Sequence, residues 1–218
     1  MLGIRRNRSL IMSIKIAIGL GNSGAVYALT RHNAGVIVLK EIADKFGAGF
    51  SRNKYCNAQI AKCDIGGKPF ILAFAEGYMN LSGENMKMIL KFFKLDASEA
   101  LVIHDDIGFE AGRMKISAGG SSGGHNGISD IIKNCGNEFV RLRIGIGAKT
   151  ISGMDLADHV LGALSASDIA AIKALPAAEC LKTAVEKGVE VAQNLYNRRE
   201  KEPRKESESD GQTENQNI

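Results

Sequence analysis

Apolar positions recur along this chain with two different periods, and segments of the two kinds alternate. Runs of apolar residues, or apolar residues at every second position, predict β-strands at Ile14–Leu20, Ala58–Ile65, Pro69–Ala75, Leu101–His104, Arg113–Ala118 and Phe139–Gly147. Apolar residues three and four positions apart predict helices from Asn33 to Gly47, over Ser82–Leu95, through Ile128–Ile132, and from Ser165 to Tyr196 with a break at Pro176. We therefore expect an α/β fold, with a single domain whose mixed, twisted β-sheet is covered by helices on both sides.

The two ends of the chain lack these periods. Residues 1–13 are short and basic, and residues 198–218 are almost entirely polar and charged. Segments of this kind bury too little apolar surface to offset the entropy lost on ordering. We predict a domain over residues 14–197, between a disordered N-terminal extension and a disordered polar tail. No apolar run approaches the roughly 20 residues that span a membrane, and residues 1–13 lack the apolar stretch of a signal peptide, so we expect a cytoplasmic protein.

Charge and cysteine content limit the classes of function. The 218 residues carry a net charge of +4, but residues 14–197 contain 20 basic and 18 acidic side chains. A protein that grips long nucleic acids has a far larger basic excess, so any contact with RNA must come from local patches. The four cysteines are scattered and form no C-x-x-C pair. This pattern favours reduced thiols in a cytosolic protein over disulfides or a metal site.

The sequence Gly19-Leu20-Gly21-Asn22-Ser23-Gly24 follows the first strand and matches the dinucleotide-binding pattern G-x-G-x-x-G. In a nucleotide fold a helix begins at these glycines, so that its N-terminus faces the phosphates. Here the predicted helix begins about ten residues later. A nucleotide-dependent enzyme is therefore an alternative with weak support.

Two polar clusters follow predicted strands. His32 lies between the first strand and the first helix, and His104-Asp105-Asp106 follows the apolar run Leu101–Ile103. Open α/β sheets bind ligands at the carboxyl ends of their strands. A carboxylate beside His32 would fix its tautomer and make it a competent general base. From the residues alone, it is equally possible that the two aspartates simply begin a turn.

Three asparagines in loops are further candidates for chemistry. Asn22, Asn80 and Asn126 lie near the ends of strands or helices. Asn80 and Asn126 are suited to cap helices, and all three could hydrogen-bond a peptide, a ribose or a developing oxyanion. The chain has no Gly-x-Ser-x-Gly motif and no cysteine–histidine pattern of a covalent nucleophile. Activation of water by His32 is the simpler mechanism.

Six motifs together resemble one known family. In chain order they are GLGNSG, YALTRHNAG, YMNLSG, HDD after a strand, SGGHNG and FVRLRIGIG. Their order and spacing resemble those of the bacterial peptidyl-tRNA hydrolases over residues 14–196. The resemblance implies a single-domain mixed sheet, a monomer, no metal or cofactor, and hydrolysis of the ester between a peptide and its tRNA.

The resemblance also implies roles for individual residues. His32 would be the general base, Asp105 would orient it, and Asn22 would favour N-blocked over free aminoacyl groups. The remaining residues would bind substrate: Asn80 and Asn126 the peptidyl end, Tyr27 and Tyr78 the tRNA path, and Lys115 and Arg143 the tRNA phosphates. A non-catalytic RNA-binding relative of the same fold stays open as the other alternative.

Overall fold

The computed structural model describes residues 13–149, 153 and 155–197. The predictions for the two ends lie outside this part of the chain, apart from Ser13. The strands are β1 Ile16–Gly19, β2 Ser51–Asn53, β3 Ala58–Ile65, β4 Lys68–Ala75, β5 Ala100–Asp106, β6 Met114–Ala118 and β7 Val140–Gly145. The helices are α1 Ala34–Lys45, α2 Ser82–Phe93, α3 Asn126–Cys135, α4 Leu156–Leu161, α5 Ala166–Lys173, α6 Ala177–Lys187 and α7 Val189–Tyr196. Short 3-10 turns at Ala25–Tyr27, Arg31–Asn33 and Met79–Leu81 precede α1 and α2.

The strands of the described chain form one mixed sheet in the order β2-β3-β4-β1-β5-β7-β6. The four central strands β4, β1, β5 and β7 are parallel, and β2, β3 and β6 are antiparallel to their neighbours. The carboxyl ends of the parallel strands therefore meet at one edge of the sheet, which we call the carboxyl edge. The antiparallel hairpin returns the turn between β2 and β3 to this same edge.

Each face of the sheet has its own apolar core. On one face Leu39 and Ile42 of α1 pack with Leu101 and Ile103 of β5. On the other face Met86 and Ile89 of α2 and Ile131 of α3 pack against alternate residues of the same strands. Helices thus cover both faces, and the predicted fold class is confirmed. Within the described residues, no helix combines the length and the apolar character that crossing a membrane requires.

Several predicted boundaries are wrong, and each has a local cause. The fifth strand extends through Asp106, because residues 104–106 pair with residues 143–145 of β7 instead of beginning a turn. The last helical region breaks again at Gly188, whose φ of 96° ends α6 and begins α7. The strand β2 and the helix α4 were not predicted, since three and six residues are too few to show a period. The helical region begins at Ser165 as predicted, where the side chains of Ser165 and Asp168 form a capping box.

Candidate active site

The first helix brings its N-terminal turn unusually close to the end of β5. A Cβ atom at Gly35 would collide with the carbonyl oxygen of Ile103, so only glycine permits this approach. Leu20 at the end of β1 also donates its N–H to the Ile103 carbonyl, at 2.9 Å. These contacts place His32, two residues before α1, directly over the end of β5.

His32 and Asp105 form a buried pair. The Nδ1 of His32 lies 2.9 Å and 3.0 Å from the two carboxylate oxygens of Asp105, and both side chains are buried. Nδ1 therefore carries the proton and donates it, which leaves the lone pair on Nε2. In the described part of the chain no group bonds to that Nε2. The expected contact between His32 and Asp105 is present, and Asp106 does not take part in it.

A second histidine, which sequence reasoning missed, shares the same carboxylate. The Nε2 of His125 lies 2.8 Å from Asp105 Oδ1, while its Nδ1 accepts the N–H of Ile128 at 3.2 Å. Because Nδ1 must accept, the proton of the neutral ring is on Nε2 and points at Asp105. His125 is thus both the N-cap of α3 and a donor to Asp105. Its position in the motif SGGHNG, directly before Asn126, is the signal that could have identified it.

These two donors keep Asp105 ionised. Burial by itself would raise the pKa of this carboxyl, but His125 and His32 outweigh burial and hold the pKa well below its usual range. His104, the preceding residue, remains neutral. Burial, with a smaller contribution from nearby His125, lowers its pKa to about 3, and its Nδ1 donates to the backbone carbonyl of Asp105 at 2.8 Å. The ionised Asp105 carboxylate thus lies between His32 and His125, and the neutral His104 ring packs edge-on against His125.

Asn22 is held from two sides, by Asn33, which directly follows His32, and by Met79. Asn33 accepts the N–H of Asn22 at 2.8 Å and donates its own amide to the Asn22 carbonyl at 3.0 Å. Asn33 lies at the N-cap position of α1, but its side chain makes no cap bond and fixes this loop instead. The Oδ1 of Asn22 accepts the N–H of Met79 at 2.7 Å. Its Nδ2 is therefore the end of the amide left to donate.

The other two asparagines lie on segments joined to Asn22 through Met79. The segment Met79–Leu81 contains Asn80 and packs against the N-terminus of α3, where a Cβ at Gly127 would touch the Met79 sulfur. Neither Asn80 nor Asn126 caps its helix, because Leu81 and His125 hold those positions. Both side chains are exposed, and within the described chain neither has a hydrogen-bond partner.

A cavity of about 610 Å³ opens over the histidine cluster. Its walls include His32, Asp105, His125, Asn126 and Arg143, the glycine-rich loop of residues 119–124, and one side of α4. Tyr27 and Tyr78 are not part of this wall. Tyr27 ends the 3-10 turn before His32, and Tyr78, which is exposed, directly precedes Met79.

Of the two predicted phosphate-binding residues, Arg143 lines the cavity and Lys115 does not. Lys115 and Arg143 face each other across the antiparallel pair of strands. Lys115 is exposed, but Arg143 donates from Nε to Asp106 Oδ2 at 2.6 Å and stacks on Phe109. The preceding Arg141 is buried and holds the glycine-rich loop, donating to the carbonyls of Gly120 and Ser121 at 2.6 Å each. Arg143 therefore lines the cavity, but Asp106 partly neutralises its charge.

The cluster of His32, Asp105 and His125 also has the composition of a metal site. One ligand atom from each residue lies within 4.8 Å of the others. In this structure the protons on His32 Nδ1 and His125 Nε2 already occupy the positions between these atoms. A metal ion there would have to displace both protons, so the contacts fit a hydrogen-bonded network better than a metal centre.

Comparison with known proteins places this site in a family. The family model described as peptidyl-tRNA hydrolase matches residues 16–205. The peptidyl-tRNA hydrolase of Lachnoclostridium phytofermentans is 39% identical over 188 residues, which cover 85% of this chain and 97% of the relative. That of Anaeromyxobacter dehalogenans is 37% identical over 189 residues and covers 85% and 97%.

A solved structure leads to the same conclusion. The crystal structure of peptidyl-tRNA hydrolase from Acinetobacter baumannii matches with a TM-score of 0.79 at 32% identity, over 85% of this chain and 95% of that one. The resemblance seen in the six motifs is thereby confirmed. This chain belongs to the peptidyl-tRNA hydrolase family.

Proposed function

We propose that this chain hydrolyses the ester between a peptide, or an N-blocked aminoacyl group, and the 3′ ribose of tRNA, with His32 as the general base. The observation that carries the proposal is the Nδ1–H contact from His32 to a buried, ionised Asp105, because it leaves the Nε2 lone pair free at the cavity. The products are a free peptide acid and a tRNA that can re-enter translation.

The reaction needs one proton to move twice. His32 Nε2 takes a proton from water as the oxygen adds to the ester carbonyl carbon, and Asp105 stabilises the imidazolium that forms. The tetrahedral intermediate then collapses, the bond between carbon and ribose oxygen breaks, and the imidazolium returns its proton to that oxygen. His125 donates to Asp105 throughout, so it keeps the carboxylate in place without exchanging a proton.

Amide donors would stabilise the oxyanion and select the substrate. Asn22 presents Nδ2 because Met79 holds its oxygen, and a donor fixed in this way is worth more than a mobile one. Asn126 lines the cavity beside the base. We assign Asn80 and Asn126 to the peptidyl end, Tyr27 and Tyr78 to the tRNA path, and Lys115 and Arg143 to phosphate.

The same proposal covers assembly and location. We propose that the active species is a monomer, as the resemblance to the family implies. Its substrate is made by ribosomes, so we propose that it acts in the cytoplasm.

The test is release of peptide from N-blocked aminoacyl-tRNA by purified protein. His32→Ala should lower kcat by about 10²–10⁴-fold, the usual contribution of a positioned base, while tRNA affinity stays near that of the wild type. The melting temperature should fall as well, because the substitution removes one of the two side chains that donate to the buried Asp105 carboxylate. Substantial turnover by folded His32→Ala would sink the assignment. Absence of turnover by the wild type, with tRNA binding intact, would favour the non-catalytic RNA-binding alternative.

A further inference from the structure

A second groove lies beside the edge strand β2, outside the catalytic cavity. It occupies about 710 Å³ between strand β2, its turn into β3, and the end of α2. Its walls include Lys54, Tyr55, Ile60, Lys62 and Phe92, and none of the residues assigned to hydrolysis. The volume is within the range of small-ligand sites.

Two aromatic rings form one wall of this groove and remain open to solvent. Tyr55 is 76% exposed and Phe92 is 44% exposed. Their planes are within 6° of parallel, with ring centroids 6.3 Å apart. Phe93 meets Phe92 edge-on at 4.9 Å and packs on the core, which fixes the platform in place. A ring as exposed as that of Tyr55 contributes little to the core, so its position calls for another explanation.

The surroundings of the rings are positively charged. The Lys54 amino group is 5.4 Å from the centroid of the Tyr55 ring, and Lys62 lies on the same face of β3 as Ile60. Lys91 is exposed next to Phe92. Among the described residues these three lysines have no ion-pair partner. The nearby acid, Glu76, is already engaged by Arg52 at 2.6 Å and by Gln59 at 2.7 Å.

The turn beside the groove is joined by backbone hydrogen bonds to the carboxyl edge of the sheet. The carbonyl of Asn57, in the turn after Tyr55, accepts the N–H of Glu76 at 2.9 Å. One residue further, the carbonyl of Gly77 accepts the N–H of Ser23, next to Asn22. A short stretch of backbone therefore connects the aromatic platform to the catalytic loop along one edge of the sheet.

We propose that this groove is a second, non-catalytic site for unpaired RNA nucleotides, with a base stacked on Tyr55 and phosphates beside Lys54 and Lys62. Exposed aromatic rings flanked by lysines are how proteins hold single-stranded nucleic acid without reading its sequence. Apolar docking of a protein would use the rings as well, but it gives no role to three unpaired lysines. The site is independent of hydrolysis, since no catalytic residue belongs to it.

The experiment measures binding of fluorescein-labelled hexauridylate by fluorescence anisotropy with the full chain. Tyr55→Ala should weaken binding by roughly 5- to 100-fold, the range for loss of one stacked base. Tyr55→Phe should bind nearly as the wild type, whereas Tyr55→Leu, which keeps apolar area without a π face, should bind like Tyr55→Ala. Leu195→Ala, which trims another exposed apolar side chain, is the matched control and should not change affinity.

Cross-linking locates the bound RNA without using turnover. A hexanucleotide containing 4-thiouridine should cross-link to peptides that contain Tyr55 or Phe92. Cross-links confined to the cavity around His32 and Asn126 would overturn the proposal. So would equal affinity of the wild type, Tyr55→Ala and Phe92→Ala, and so would a Tyr55→Leu variant that binds like the wild type. Because neither readout depends on hydrolysis, failure here leaves the proposed function standing, and the reverse also holds.

Discussion

Asp105 and Asp106 are neighbours of the same chemical type at the end of one strand, yet their surroundings differ completely. Asp105 is buried between His32 and His125, and every contact of its carboxylate is to a histidine N–H. Asp106 reaches the rim of the cavity and pairs with Arg143. The alternation of a strand sends the two side chains to opposite sides. We infer that Asp105 orients the general base His32. Asp106 instead partly neutralises Arg143, which we expect to contact tRNA.

Asp105→Asn should reduce the rate of hydrolysis far more than Asp106→Asn does. One oxygen of the amide can accept from both histidines, but the amide N–H₂ then faces His32 Nδ1, which lies 3.0 Å from the second carboxylate oxygen. His32 would relieve this clash by moving its proton to Nε2, where the base is needed. We expect kcat to fall by about 10²–10⁴-fold with KM little changed. Steady-state kinetics on N-blocked aminoacyl-tRNA measure this, and a smaller loss than for Asp106→Asn would reverse our assignment.

His125 makes two contacts, one to the backbone of α3 and one to Asp105, and two substitutions can separate their effects. His125→Asn keeps an N-cap acceptor for α3 but is too short to reach Asp105, while His125→Ala loses both contacts. Both should lower kcat, by about tenfold for one charge-assisted hydrogen bond of 1.5 kcal/mol. Only the alanine variant should lose the further ~1 kcal/mol of a helix cap. Kinetics and urea denaturation check the two parts. Equal stability of the two variants would show that the cap bond contributes nothing.

At the rim, substitutions should change substrate affinity and leave the chemistry intact. Arg143→Ala and Lys115→Ala should each raise KM for full-length tRNA substrates and reduce the salt slope of binding by roughly one unit. Asp106→Asn should do the opposite and lower KM a few-fold, because it releases Arg143 from its partner. A peptide esterified to a short 3′ fragment is the control substrate and should be cleaved at similar rates by all three. Equal losses on both substrates would mean that these residues support the fold.

The smallest effect concerns acid stability. The folded-state pKa of His104 is lowered to about 3, against about 6.5 in an unfolded chain. The unfolded state therefore binds the proton first, and stability falls as pH decreases from about 6.5 towards 3. Asp105, whose pKa is also lowered, adds to this loss below about pH 4. His104→Asn, whose amide can replace Nδ1–H as donor, should flatten the melting temperature between pH 6.5 and 4. An unchanged slope would contradict this.

The sequence predicted the fold well because strands and helices of this length show their period. It also indicated that His32 could lie near Asp105 and Asp106, since residues at the ends of parallel strands meet at one edge, but the choice of Asp105 came from the family resemblance. Three side-chain contacts could not be predicted from the sequence. His125 approaches Asp105 only through the packing of α3, Asn33 holds a loop eleven residues away instead of its own helix, and Arg143 meets Asp106 across two strands. Such contacts depend on register between distant segments, which no local pattern encodes.

Because His125 bonds both to α3 and to Asp105, we expect catalysis to depend on the local folding of α3. Its two ring nitrogens bond to the backbone of α3 and to Asp105, so fraying of the first turn of α3 withdraws a donor from the carboxylate. Amide hydrogen exchange at Ile128 would then report the fraction of molecules that are competent for hydrolysis. On warming, activity should decline with this local opening before the sheet itself melts. The enzyme would lose its function at a temperature where spectroscopy still finds it folded.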